Sequence, residues 1–273
     1  RIMEVLNTEP IIKSPKNGIK DTENKGTIEF ENVSFTYPNG EEPVIKDVSF
    51  SGKKGEVIAF IGSTGSGKST LINLIPRFYD VTKGSIKIDG VDVRDYDLKY
   101  LRKKIGFIPQ KTLLFTGSIA NNIKFGKKDA EYKEVEDSAK IAQAYEFISN
   151  KPNKFDEIIT EGGSNVSGGQ KQRLSIARAI VRKPDIYIFD DSFSALDFKT
   201  DAILRKELRS ETKDAIVLIV AQRIGSIMDA DKIIVLNEGE VVGIGTHKEL
   251  IKNCPIYHEI ATSQLTEEEL ANE

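Results

Sequence analysis

Residues 62–70 read Gly-Ser-Thr-Gly-Ser-Gly-Lys-Ser-Thr and follow directly on the apolar run Val57–Ile61. Gly62, Gly65 and Gly67 permit backbone conformations that turn successive N–H groups toward an anion, with Ser63, Thr64 and Ser66 around it. At this spacing Lys68 reaches β- and γ-phosphates, Ser69 offers its hydroxyl to Mg²⁺, and Thr70 closes the candidate loop. A helix expected over residues 68–78 aims the positive end of its dipole at the same phosphates. The alternative is a Gly/Ser surface loop. The strand-like text before it and the amphipathic run after it favour the phosphate cradle. The chain is expected to bind a nucleoside triphosphate.

Such a site needs a carboxylate at the end of a buried strand to hold Mg²⁺. Ile186-Tyr-Ile-Phe-Asp190 supplies one in Asp190. Upstream, Ser167, Gly168, Gly169 and Gln170 open an apparent helix, which makes a second anion-binding terminus. One loop already serves the phosphates from one side. The second terminus is therefore expected to serve a nucleotide on a different chain, although the same string also suits an ordinary helix start.

The elements that must position these residues alternate. Thr27–Tyr37 alternates apolar and polar residues as a half-exposed strand does. Val44–Ser51 and Glu56–Ile61 read as further strands, and Gly84–Ile88 with Val91–Val93 as a hairpin around Asp89-Gly90. Residues 118–148 carry apolar positions at three- and four-residue spacing, including Val135, Ala139, Ala142 and Phe147, and predict a mainly helical insert. A helix over Gly169–Val181 then precedes the strand Ile186–Phe189. Ala215–Val220 and Lys232–Glu238 alternate with helical text. The expected fold class is α/β: a P-loop NTPase core with a mostly parallel sheet, an antiparallel β-subdomain before it and an inserted helical subdomain. Residues 1–26 read as a linker whose first turn, Ile2–Leu6, is helical, and the charged text from Thr246 as a helical tail.

Composition excludes other classes. A net charge of -3 argues against a nucleic-acid surface. One cysteine, Cys254, rules out an internal disulfide and a cysteine-rich metal site and fits a reducing compartment. No apolar run approaches the roughly 18 residues that span a bilayer. No basic n-region with an apolar core opens the chain, and it starts with Arg1, as expected of a fragment of something longer.

The loop at 62–70, the turn Val166–Gln170 and the run Ile186–Asp197, in this order, resemble the nucleotide-binding domain of ABC transporters. The resemblance extends from about Thr27 to Leu250. It implies ATP and Mg²⁺ as ligands, with Ser69, Asp190 and Gln110 serving the metal and Tyr37 stacking on adenine. It also implies that Gln110 links the metal to the membrane domains, that Glu161 belongs to the acidic loop before the signature, and that Ser194–Asp197 touches a partner domain. Residues 1–10 and 113–126 are similar to exporter segments, the second facing the coupling helices of the membrane domain. The implied organisation is a linker from the membrane domain (1–26), an ATPase domain (27–250, helical subdomain about 111–180) and a C-terminal helical tail (251–273). The implied place is the cytoplasmic face of a membrane.

Two positions depart from the family pattern. After Asp190 the family places Glu, and here stands Asp191. At the switch position the family places His, and here stands Gln222; the two histidines, His247 and His258, both lie in the tail. Asp is one methylene shorter, about 1.5 Å. A misplacement of about 1 Å can cost on the order of 100-fold, and a positioned base contributes ~10²–10⁴. Gln hydrogen-bonds but cannot become a cation. With Lys68 and Gln110 the catalytic set is therefore Asp191 and Gln222, expected to bind ATP and hydrolyse it slowly. The signature Ser167–Gln170 is intact. The expectation is the degenerate-site half of a heterodimeric exporter; a slow homodimeric ATPase and a regulatory ATP-binding module are the alternatives. Drug, lipid and peptide substrates all remain open.

Overall fold

Runs that are apolar throughout form the central sheet, and alternating runs form the sheet that covers it. The computed structural model describes residues 9–22 and 26–266. The turn expected at Ile2–Leu6 and the end of the tail lie outside these residues. The central sheet has the order β12-β11-β3-β10-β9-β6, built from β3 (Val57–Ile61), β6 (Ile105–Ile108), β9 (Ile186–Asp190), β10 (Ile216–Val220), β11 (Lys232–Asn237) and β12 (Glu240–Gly245). All neighbours pair in parallel except β11 and β12.

In β9 and β10 every residue is buried, because the two faces of the strand enter different cores. Ile186 and Ile188, with Ile216, Leu218 and Val220, face one core; Tyr187 and Phe189, with Val217 and Ile219, face the other. A period of two thus splits a continuous apolar string between two layers.

The first core is closed by α1 (Lys68–Leu74) and by an antiparallel sheet of order β2-β1-β4-β5: β1 (Thr27–Phe35), β2 (Ile45–Lys53), β4 (Lys83–Ile88) and β5 (Val91–Asp92). In β1 the alternation of Ile28 and Phe30 slips at Glu31 and Asn32, both exposed, before Val33 and Phe35 re-enter the core. Asn32 there has φ +49°, and the bulge moves the later residues back to the inner face.

The second core is closed by the helical insert: α3 (Ile119–Lys124), α4 (Tyr132–Ile141), α5 (Tyr145–Ser149) and α6 (Gly168–Ile180). A short pair, β7 (Gly117–Ser118) with β8 (Ile158–Ile159), joins the start of the insert to its end. Among the described residues the remaining α-helices are α2 (Leu98–Lys103), α7 (Phe198–Glu211), α8 (His247–Asn253) and α9 (Pro255–Thr262).

Two readings need correction. The helix expected to reach Phe78 ends at Leu74, because Pro76 has no N–H to continue the ladder and Arg77 turns to φ +54°. The strands β6 and β12 were not anticipated. Ile105-Gly-Phe-Ile108 is short and interrupted by glycine, and β12 is an edge strand with alternate residues exposed. The segment 9–22 lies against the domain: Ile19 pairs with Tyr96, and the Ser14 hydroxyl donates to Asp97 at 3.3 Å.

Candidate functional site

Four parallel strands end on one edge of the sheet, and each delivers a part of the site. β3 runs into the loop 62–67, β9 into Asp190 and Asp191, β10 into Ala221 and Gln222, and β6 into Pro109 and Gln110. The register aligns these ends, since Val220 lies opposite both Phe60 and Asp190, and Ile108 opposite Phe189.

The loop needs its glycines. Gly67, which caps α1, has φ +96°, and a Cβ there would lie 2.7 Å from Ile45 Cδ1. A Cβ on Gly62 would sit 2.0 Å from the Leu236 carbonyl. The Lys68 ammonium is turned back into the loop, donating to the carbonyls of Gly62 (2.9 Å) and Ser63 (2.8 Å) and to Ser66 Oγ (3.2 Å). Burial lowers its pKa, opposed by Asp191 and Asp190. Thr64, Gly65 and Ser69 line the exposed side of the same turn, and Thr70 accepts or donates a 2.9 Å bond with the Tyr37 hydroxyl. Tyr37 stands edge-on to Phe35 and Tyr79, which fixes its ring beside α1.

Ser69 Oγ donates to Asp190 Oδ1 at 2.8 Å. Asp190 is 8% exposed; burial raises its pKa, Asp191 adds to the shift, and Ser69 and Lys68 oppose it. A buried carboxylate whose charge is disfavoured, next to a hydroxyl, suits a hard cation. Among the described residues no cluster of three His, Cys, Asp or Glu exists to cage a metal.

Asp191, Gln110 and Gln222 come together in a way their separate motifs did not announce. One carboxylate oxygen, Asp191 Oδ2, accepts from Gln110 Nε2 at 2.9 Å and from Gln222 Nε2 at 2.8 Å. The Asp191 backbone has φ +46°, a region that Asp tolerates better than most residues, and its N–H donates to the Val220 carbonyl. Ser194 Oγ donates to the Asp191 carbonyl, and Asp197 caps α7 by accepting from Thr200 N–H at 2.9 Å.

The signature turn stands apart. Ser167 caps α6 and forms a reciprocal pair with Gln170, whose side chain accepts from the Ser167 N–H. Ser167 and Gly168 are exposed, and a Cβ on Gly168 would meet nothing within 4 Å. Among the described residues no hydrogen bond joins this turn to the loop 62–70. Glu161 lies exposed on the turn before it. Sequence reasoning missed Gln264, whose side chain meets the backbone at Gln222 and Ile224.

The profile of the ABC transporter family matches residues 45–194, more than half of the chain. An uncharacterised ABC transporter ATP-binding protein of Mycobacterium tuberculosis is 42% identical over 268 residues, covering 97% of this chain and 46% of that protein. A Bacillus subtilis protein provisionally named a multidrug export ATP-binding/permease protein is 41% identical over 264 residues, covering 97% and 46%. The structure of a bacterial Atm1-family ABC exporter with ATP bound superposes with a TM-score of 0.93 at 33% identity, covering 97% of this chain and 47% of that one. The chain thus spans about half the length of these relatives. A family profile over more than half of the chain and relatives over nearly all of it agree: the chain belongs to the ABC transporter family and has the fold of that family's exporter ATP-binding domains.

Proposed function

We propose that this chain binds Mg·ATP at residues 62–70 as the weakly hydrolytic half of an ATP-driven exporter, on the cytoplasmic face of a membrane. In this reading the ammonium of Lys68 and the backbone N–H groups of the loop hold the phosphates, and Tyr37 meets the adenine. Ser69 and Asp190, with Gln110, hold the cation, which when bound neutralises the charge developing on the phosphates. Ser167, Gly168, Gly169 and Gln170 face a nucleotide on a second ABC ATP-binding domain and complete that partner's site. Gln110 and the residues after it meet the membrane domain. The reading needs no nucleic acid.

The observation that supports weak hydrolysis is the shared oxygen of Asp191. With Asp191 Oδ2 engaged by two amides, only Oδ1 is left to meet an attacking water, from a side chain one methylene shorter than Glu, and Gln222 offers no cation to the γ-phosphate. The intact signature turn, exposed and joined by no hydrogen bond to the chain's own loop among the described residues, supports the role toward a partner. The test is steady-state ATPase of the chain and of Asp191→Glu with Gln222→His. The double change is expected to raise turnover by about 100-fold, the scale of a positioned base. Brisk hydrolysis by the native chain, unimproved by the double change, would sink the weak-site reading and leave the homodimeric ATPase.

A further inference from the structure

The switch segment Gln222–Ile224 is held from three directions. The Gln222 side chain donates to Asp191, as above. Arg223 Nη2 donates to the Ser194 carbonyl at 3.2 Å and its guanidinium lies over the Phe198 ring. The third hold comes from outside the catalytic motifs. Gln264 Oε1 accepts from the Ile224 N–H at 2.9 Å, and Gln264 Nε2 donates to the Gln222 carbonyl at 2.8 Å. One primary amide thus satisfies the main chain on both sides of Arg223, as a neighbouring strand would.

Gln264 can do this because its own backbone is anchored. It follows α9, whose Tyr257 and Ala261 are fully buried, and its N–H donates to the Ala261 carbonyl. The next residue, Leu265, packs on the core with Ile256 and Ile260. α9 packs on α8, and α8 on β12. The side chain of Gln264 is exposed, so it contributes no core packing. Its two bonds go to one place, the switch backbone.

We infer that Gln264 is a positioning residue: by fixing the backbone on either side of Arg223 it keeps the Gln222 amide on Asp191, and so makes the C-terminal helix part of the nucleotide site. Without it, the segment keeps Ala221 tied to Phe60, the Arg223 and Ile224 carbonyls tied to the N–H groups of Ser226, Ile227 and Met228, and the Ser226 hydroxyl tied to Asp201, but the Gln222 carbonyl and the Ile224 N–H lose the partner that Gln264 gives them. Two lost bonds of ordinary strength free Gln222 to leave the carboxylate. The coupling does not depend on how fast the site turns over.

The test uses the ligand-free 273-residue chain labelled uniformly with ¹⁵N, in which Gln222→Ala identifies the Gln222 side-chain resonance. Gln264→Met removes both bonds at similar bulk, and Gln264→Ala is the second variant. Both are expected to speed hydrogen exchange of the Ile224 amide about tenfold, one hydrogen bond's worth. Both are also expected to move the Gln222 amide resonance toward its position in Asp191→Ala, with the melting temperature nearly unchanged. A Gln222 resonance that stays in place while Ile224 exchanges faster overturns the proposal, as does an Ile224 amide unaffected by either variant. A chain that fails to bind ATP, or hydrolyses it briskly, overturns only the proposed function, since neither alters these signals.

Discussion

At the scale of single residues, the two aspartates after Phe189 are adjacent in sequence yet live in different environments. Asp190 shares its carboxylate with a hydroxyl in a buried site, and Asp191 shares one oxygen between two amides. The raised pKa of Asp190 has a definite sign. The stability given by its protonated form is fully present below its ordinary value and is lost as pH rises through the raised one. At neutral pH, then, its charge costs the ligand-free chain stability, and a cation relieves that cost. Asp190→Asn, which still accepts from Ser69, is expected to raise the melting temperature of the ligand-free chain by about 2 °C, a sub-kilocalorie effect. It should also abolish any further rise on adding Mg·ATP. Differential scanning fluorimetry from pH 5 to 8 checks both. A lower melting temperature for Asp190→Asn at neutral pH would contradict the assigned environment.

Among the elements, the loop 62–67 shows that glycines in one motif answer to different constraints. Gly62, Gly65 and Gly67 all have positive φ, but only at Gly65 would an added Cβ find no atom within 4 Å. Gly65→Ala therefore costs backbone strain alone, about 1–2 kcal/mol. Gly62→Ala drives a Cβ into the backbone of β11 at Leu236 and into Ser66 Oγ, an overpacking that demands a shift of the sheet. It is expected to cost about 3 kcal/mol or more and to displace the Lys68 ammonium, whose acceptors include the Gly62 carbonyl. Urea midpoints of the two variants separate the cases; equal losses would show that local strain, not contact with β11, sets the requirement. A comparable division of labour marks α6. Its N-terminus is presented to solvent, while Arg178 near its other end donates to the Asn122 and Leu113 carbonyls and lies against Phe115 and Phe125.

Over the whole molecule, one buried ion pair joins the layers. Lys104, just before β6, donates to Asp89 at 2.8 Å and to Asp185 at 2.9 Å, and it is 6% exposed. Burial opposes its charge, but the bonds to the two carboxylates outweigh that and hold the pKa above the usual lysine value. Asp89 sits at the β4–β5 turn and also accepts from the Gly26 and Thr27 N–H groups and from Thr22 Oγ. The antiparallel sheet, the N-terminal segment and the central sheet therefore meet at one carboxylate. Asp89→Ala leaves the Lys104 charge buried with a half-exposed partner only, and is expected to cost about 3–5 kcal/mol in urea unfolding. Asp89→Ala with Lys104→Met should recover much of the loss, because a paired deletion removes the stranded charge. Failure to recover would mean that the bonds to Gly26 and Thr27 dominate.

The turn at 62–67, the strand ending in Asp190 and the helix start at Ser167 were legible in the sequence because each is local: a few consecutive residues contain the backbone signal that shapes it. The buried strands were legible for the same reason, since an all-apolar run such as Ile186–Phe189 has few other places to go. What the sequence could not express is adjacency across long separations. Asp191, Gln110 and Gln222 lie 81 and 31 positions apart and meet because parallel strands end on one edge. Gln264 reaches the switch only because α9 packs where it does. Local composition fixes which groups can react; the order of strands in the sheet and the seat of the last helix decide which of them share a hydrogen bond.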